Sequence, residues 1–200
     1  DEAEVTQLYW HCIKAGIEFM CTPFGIQEVE FLAPLVKRMK IASGCIRRES
    51  LLRTVAATGL PVVLSTGMSN FLETHSACRI LGDNCDLTLL HCTSAYPCPV
   101  EAVNLRAMDS LRYLAKRVGY SDHTRGITVP IAAVARGAAV IEKHLTLDNT
   151  TPGPDHKASI EPEEFRTMVE AIRTDEEALG SGIKTVQECE IALKAQWHGH

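Results

Sequence analysis

His123 and His144 each close a short apolar run, V-G-Y-S-D-H at 118–123 and V-I-E-K-H at 140–144, and an alanine-rich stretch of helical period joins them. A strand, a helix and a second strand in that order make a parallel pair, so both imidazoles emerge at the same edge of a sheet. Side chains alternate along a strand, which puts Ser121 beside His123 and Glu142 beside His144. Two neutral imidazoles with water or substrate oxygens make an open, labile site for an ion such as Mn²⁺ or Mg²⁺, unlike the closed four-ligand site of structural zinc. The alternative is a hydrogen-bonded histidine pair without metal. Asp122 and Asp155 are the carboxylates placed to hold the histidines or to exchange a proton.

Other polar residues fall in equivalent places. Apolar runs end at Thr22, Ser43, Ser65-Thr66, the stretch His91 to Ser94, Ser121 to His123, and Lys143-His144. Lys40, Ser43, Ser65 and Ser121 offer one cation and three hydroxyls that could converge on a phosphate or carboxylate, aided by helix N-termini behind them. A strand-edge lysine in solvent is the plain alternative for Lys40, and turn or capping duty for the hydroxyls. The segment Thr151 to Ser159 carries Asp155, His156, Lys157 and Ser159 among turn formers, and reads as a loop walling the same edge.

The elements that must position these residues alternate. Strands are expected at 17–21, 39–42, 61–64, 86–90, 118–120 and 139–142, with helices at 26–37, 49–58, 72–81, 105–117, 129–137 and 163–179 between and after them. Gly59 stops one helix at its C-terminal side, and Pro162 opens the last at its first turn. Six strands apolar on both faces, with helices between, predict an α/β fold on a parallel sheet. An open doubly wound sheet could stop at six strands, whereas an eight-fold barrel needs about 250 residues. The chain opens without methionine on what reads as a helix entered part-way, which favours a (β/α)₈ TIM barrel that is incomplete, with strands 3 to 8 present and the first two strand–helix units missing. Residues 1–180 form that partial barrel, and 181–200 read as a linker.

Composition narrows the partners. Two hundred residues, 46% of them apolar, suffice for one core. A formal charge of -5 with both signs mixed leaves no basic stripe, so no nucleic acid is expected. Eight cysteines without a C-x-x-C pair, most within apolar runs, read as free thiols in a reducing compartment. No leader and no span are apparent, which predicts a cytoplasmic protein with no membrane partner.

The words M-K-I-A-S-G at 39–44, V-V-L-S-T-G-M at 62–68, L-L-H-C-T-S-A-Y-P at 89–97, V-G-Y-S-D-H-T at 118–124, I-E-K-H at 141–144 and G-P-D-H-K-A-S at 153–159 occur in a familiar order. With them the chain resembles the N-acetylneuraminate (sialic acid) synthases and their legionaminate and pseudaminate synthase relatives. The resemblance implies a (β/α)₈ barrel that condenses phosphoenolpyruvate with N-acetylmannosamine, or a related 2-acetamido sugar, and releases phosphate. It implies that His123 and His144 bind Mn²⁺, or Mg²⁺ or Co²⁺, which polarises the open-chain aldehyde. Lys40, Ser43, Ser65 and Ser121 match the phosphoenolpyruvate-binding positions, Ser94 and Tyr96 match positions near both substrates, and Thr22 matches one lining the pocket. Asp155 matches a position touching the sugar or the metal-bound water, so Asp155 and Tyr96 are the expected catalytic groups. A homodimer is implied for the full-length protein, completed by a C-terminal antifreeze-like domain toward which the linker would lead.

Cys45 stands where the family carries an acidic residue, and a thiol cannot hold a sugar hydroxyl or move a proton as a carboxylate does. The glutamate, lysine and arginine that the family takes from its first strands and its C-terminal domain are not among these words. The rival reading is therefore a non-catalytic truncated barrel that at most binds a divalent metal or a phosphate ligand. If the histidines bind metal, Mn²⁺ affinity should fall below about pH 6.5, because ligating imidazoles must be neutral. A metal titration that is flat from about pH 5 to 8, or unchanged in His123→Ala, would contradict it.

Overall fold

The computed structural model describes residues 1–83 and 85–198. Its centre is a parallel sheet of five strands in sequential order, β1 (Met39–Ile41), β2 (Val62–Ser65), β3 (Leu87–Cys92), β4 (Arg117–Asp122) and β5 (Ile141–Lys143). Helices connect them: α3 (Glu49–Ala57), α4 (Phe71–Leu81), α5 (Ala107–Leu111) and α6 (Thr128–Ala135), preceded by α1 (Glu2–Ala15) and α2 (Ile26–Leu32), and followed by α7 (Pro162–Leu179) and α8 (Ile191–His198). β1 and β2 are buried at every residue, as strands covered on both faces must be.

Local chemistry sets the ends of the helices. Asn70 caps α4: its side chain accepts from the Glu73 N–H, and the Glu73 carboxylate accepts from the Asn70 N–H. Asp1 and Glu4 form the same reciprocal box at the start of α1. Gly59, at φ 69°, ends the turn after α3 in a left-handed conformation that costs glycine little. Leu52 and Val55 of α3 pack with Leu64 and Leu89 of the strands in one apolar cluster between helices and sheet. Truncating Leu52 to alanine there would cost about 2–5 kcal/mol.

The sheet is curled. Strands about 4.8 Å apart would put β1 and β5 about 19 Å apart if the sheet were flat. Lys40 of β1 nevertheless reaches Glu142 of β5, Nζ to Oε2 at 3.4 Å. The strands therefore form a half-barrel whose concave face gathers side chains from the first strand and the last.

Several expectations are corrected. Five strands stand where six were expected, because residues 17–21 form no ladder, although Phe19 is buried against Tyr9. The helix expected at 26–37 ends at Leu32, and the one expected at 105–117 shrinks to Ala107–Leu111 behind Asn104, whose φ is 50°. The stretch expected as a linker contains α8, exposed throughout its described side chains, while residues 199–200 lie outside the described residues. No helix among the described residues is long and apolar enough to cross a membrane.

Gly119 of β4 shows how closely the strands approach one another. A Cβ there would lie 2.4 Å from the Val140 carbonyl oxygen and 2.7 Å from Leu90 Cδ2. A backbone atom cannot swing aside, so Gly119→Ala should destabilise the chain by about 1–3 kcal/mol or more in urea unfolding. An unchanged midpoint would contradict this packing of β4 against β5.

Candidate active site

Parallel pairing in register brings the C-terminal ends of all five strands to one edge. A cleft of about 470 Å³ opens there. Nine of the residues singled out from sequence line it: Thr22, Lys40, Ser43, Ser65, Ser94, Tyr96, Ser121, His123 and His144. Asp155 stands at the margin, its Oδ2 4.0 Å from His144 Nδ1, about half exposed.

Lys40 forms the floor. It is buried, and its Nζ donates to Ser65 Oγ at 2.9 Å and to the Ile41 carbonyl at 3.1 Å. The third direction faces Glu142 at 3.4 Å, long for an ion pair, so the ammonium keeps capacity for another anion. Glu142 also accepts from Ser121 Oγ at 2.7 Å. The Gly67 N–H donates to Ser43 Oγ at 3.0 Å, and this fixes the hydroxyl beside the lysine. One cation and three hydroxyls thus converge, as phosphate recognition requires.

The histidines stand above that floor. Their ring centroids are 5.3 Å apart, and Tyr96 leans over His123 at 4.0 Å with the planes tilted by 41°, and meets His144 edge-on at 5.6 Å. His123 Nδ1 donates to the Thr93 carbonyl at 2.9 Å, which leaves Nε2 with its lone pair free, the arrangement of a metal-ligating histidine. No group of three or more His, Cys, Asp and Glu poised for a metal occurs among the described residues. Two imidazoles are donors of the kind an open divalent site uses with water or substrate oxygens, and they are too few for a closed structural one.

Their ionisations diverge. Burial draws the His123 pKa down, but the contact with Cys92 Sγ, the Thr93 carbonyl and the charge of Asp122 outweigh it, and the net shift is upward. For His144, burial and the neighbouring His123 charge lower the pKa, against the weaker pull of Asp155 and Glu142. Burial, then the charges of Cys92, Asp155 and Glu142, raise the Tyr96 phenol, so it remains a proton donor.

The sequence profile of the NeuB family matches residues 1–184. The chain belongs to the NeuB family. It is 46% identical over 190 residues to the N,N'-diacetyllegionaminic acid synthase of Campylobacter jejuni, covering 92% of this chain and 57% of that protein. To the human N-acetylneuraminate-9-phosphate synthase it is 39% identical, covering 93% of this chain and 53% of that one. The crystal structure of the N-acetylneuraminic acid (sialic acid) synthetase of Leptospira borgpetersenii superposes with a TM-score of 0.90 at 35% identity, covering all of this chain and 72% of that one. The chain thus spans about half the length of these curated relatives.

Two sequence-based expectations change in this NeuB-family cleft. Asp122 has no acid–base role there: it is wholly buried, and Tyr120, Thr124 and Lys143 take up its oxygens. Cys45 packs into the apolar core and does not line the cleft, so the thiol leaves no gap in the described wall. Cys92, within the expected strand end His91 to Ser94, lies beside the polar floor, its Sγ 3.6 Å from Ser43 Oγ and 3.8 Å from His123 Nδ1. Burial pushes this thiol up, but those contacts and Ser94 outweigh burial and bring it below its ordinary value.

Gly67 is the tightest point of the floor. A Cβ there would lie 2.2 Å from Ser94 Oγ, 2.9 Å from Ser43 Oγ and 3.0 Å from Cys92 Sγ. These are side-chain atoms able to turn away, so Gly67→Ala should keep the fold and displace the hydroxyls, weakening inorganic phosphate binding by about tenfold or more in calorimetry. Equal phosphate affinity in the folded variant would remove Ser43 from the anion site.

Proposed function

We propose that this cleft belongs to a synthase that condenses phosphoenolpyruvate with N-acetylmannosamine, or a related 2-acetamido sugar, to a nonulosonic acid and releases phosphate. The observation that carries the reading is the convergence of a buried lysine, three serine hydroxyls and two imidazoles in one cleft of a NeuB-family chain. The names of the relatives, legionaminic acid and N-acetylneuraminate-9-phosphate synthases, agree with it.

Each residue then has a task. Lys40, with Ser43, Ser65 and Ser121, holds the phosphate and carboxylate of phosphoenolpyruvate and offsets their charge. Ser94 and Thr22, which line the same cleft, orient the two substrates. C3 of the enol bonds to the aldehyde carbon of the sugar, water adds at C2, and phosphate departs with its bridging oxygen. Tyr96 and Asp155, both partly exposed at the mouth, supply and accept protons at the sugar oxygen and the attacking water. A divalent ion, Mn²⁺ or in its place Mg²⁺ or Co²⁺, held by His123 and His144 would supply Lewis acidity toward the sugar carbonyl.

The half-barrel is part of a (β/α)₈ barrel in this proposal. Residues 17–21 would take the place of a third strand in the closed ring, and two earlier strand–helix units would complete it. Residues 1–180 are its barrel portion, and 181–200 lead toward a further domain. Cytoplasmic setting and homodimerisation in the longer protein belong to the same proposal.

A coupled assay tests it. Slow phosphate release from phosphoenolpyruvate that requires both N-acetylmannosamine and Mn²⁺, and is lost in Lys40→Met, is the expected result. No release at high protein concentration would favour the binding-only reading.

A further inference from the structure

Two side-chain rungs cross from β4 to β5, on opposite faces of the sheet. On the cleft face Ser121 donates to Glu142 at 2.7 Å. On the other face the next register pair, Asp122 and Lys143, is joined Nζ to Oδ2 at 2.6 Å, with both side chains 0% exposed. Asp122 Oδ1 also accepts from the Tyr120 hydroxyl at 2.9 Å and from the Thr124 N–H at 3.1 Å, and the Thr124 hydroxyl donates to it at 2.9 Å. Lys143 donates in addition to the Thr124 carbonyl. With no solvent exposure, neither charged group can meet a substrate. The residues that follow them along the two strands are His123 and His144.

β5 needs such a device. It is three residues long, ends the sheet, and has only three register pairs with β4. Beyond it, the Ile160 N–H donates to the His144 carbonyl at 3.0 Å, and Leu145 bridges Ile160. A slip of one residue would turn Glu142 and His144 away from the cleft and bring Lys143 into it. A short ladder opposes that slip weakly. A buried ion pair opposes it strongly, because any other register leaves an uncompensated charge inside the protein.

We propose that the Asp122–Lys143 pair is a positioning device that locks the register of β5 on β4 and so sets the separation of the His123 and His144 rings. It rests on the reading of those histidines as a divalent-ion site. Asp122 and Lys143 act only through the histidines; Tyr120 and Thr124 hold Asp122 in place. Buried charge here secures geometry at the neighbouring residue, as outer partners of metal ligands do.

The test is Mn²⁺ binding, followed through the electron paramagnetic resonance signal of the free ion, in wild type, His123→Ala and the double variant Asp122→Asn/Lys143→Met. The double variant removes both charges together, so neither is stranded, and circular dichroism checks that it is folded. The expected result is binding by wild type, none by His123→Ala, and binding weakened about tenfold to a hundredfold in the folded double variant. Wild-type affinity in the double variant would overturn the positioning role and leave the metal site standing. Absence of binding by wild type would overturn the metal site and this inference with it. Should the double variant fail to fold, Tyr120→Phe decides: it removes one hydroxyl from Asp122 and no charge, and should weaken Mn²⁺ about threefold. Unchanged affinity in that variant would overturn the inference.

Discussion

The contact between Lys40 and Glu142 joins the first strand of the sheet to the last, and the cleft depends on it. It exists only because the sheet curls, and the curl gives five strand ends a common interior. A lysine is seldom this enclosed without partners. Here Ser65 and the Ile41 carbonyl satisfy it, so the cost of its desolvation is met by hydrogen bonds as well as by the charge of Glu142, which is part-exposed and accepts from Ser121. The resulting floor is polar, ordered and only partly neutralised, a setting in which an incoming anion finds donors already aimed.

Above the floor, the two histidines illustrate how a site is built from both faces of a strand. Ser121, His123, Glu142 and His144 line the cleft, while Asp122 and Lys143, one position before each histidine, turn the other way and, in the proposal, fix where the imidazoles stand. Removing one member of so buried a pair would cost about 3–5 kcal/mol, chiefly through the charge left behind. The backbone around His123 is held as well, since the Cys98 N–H donates to its carbonyl at 2.8 Å.

Much of this was legible in the sequence, because polar residues closing apolar runs mark strand ends in parallel α/β folds. Ser65, Ser121 and His144 could be placed at one edge as residues that close apolar runs, whereas Lys40 was open to a solvent-facing reading. The misread strand at 17–21 has the right residue types, but a strand also needs a neighbour to pair with, and none is paired there among the described residues. The helix expected at 105–117 shrank because turns, including the left-handed Asn104, interrupt a run whose propensity alone favoured helix. Cys92 carried no signal of its own beyond its place in the strand end His91 to Ser94. Asp122 with Lys143 did carry one: alternation puts both on the covered face, where a lone charge is untenable, so each required the other.

The central claim is that one cleft takes phosphoenolpyruvate on Lys40 and a divalent ion on His123 and His144. The most direct measurement is a crystal structure of the chain with phosphoenolpyruvate and Mn²⁺. It should place the ligand's phosphate or carboxylate against Lys40, Ser43 and Ser65, and anomalous signal for manganese between the two imidazoles. Ligand density elsewhere with this cleft empty, or manganese away from the histidines, would contradict the account.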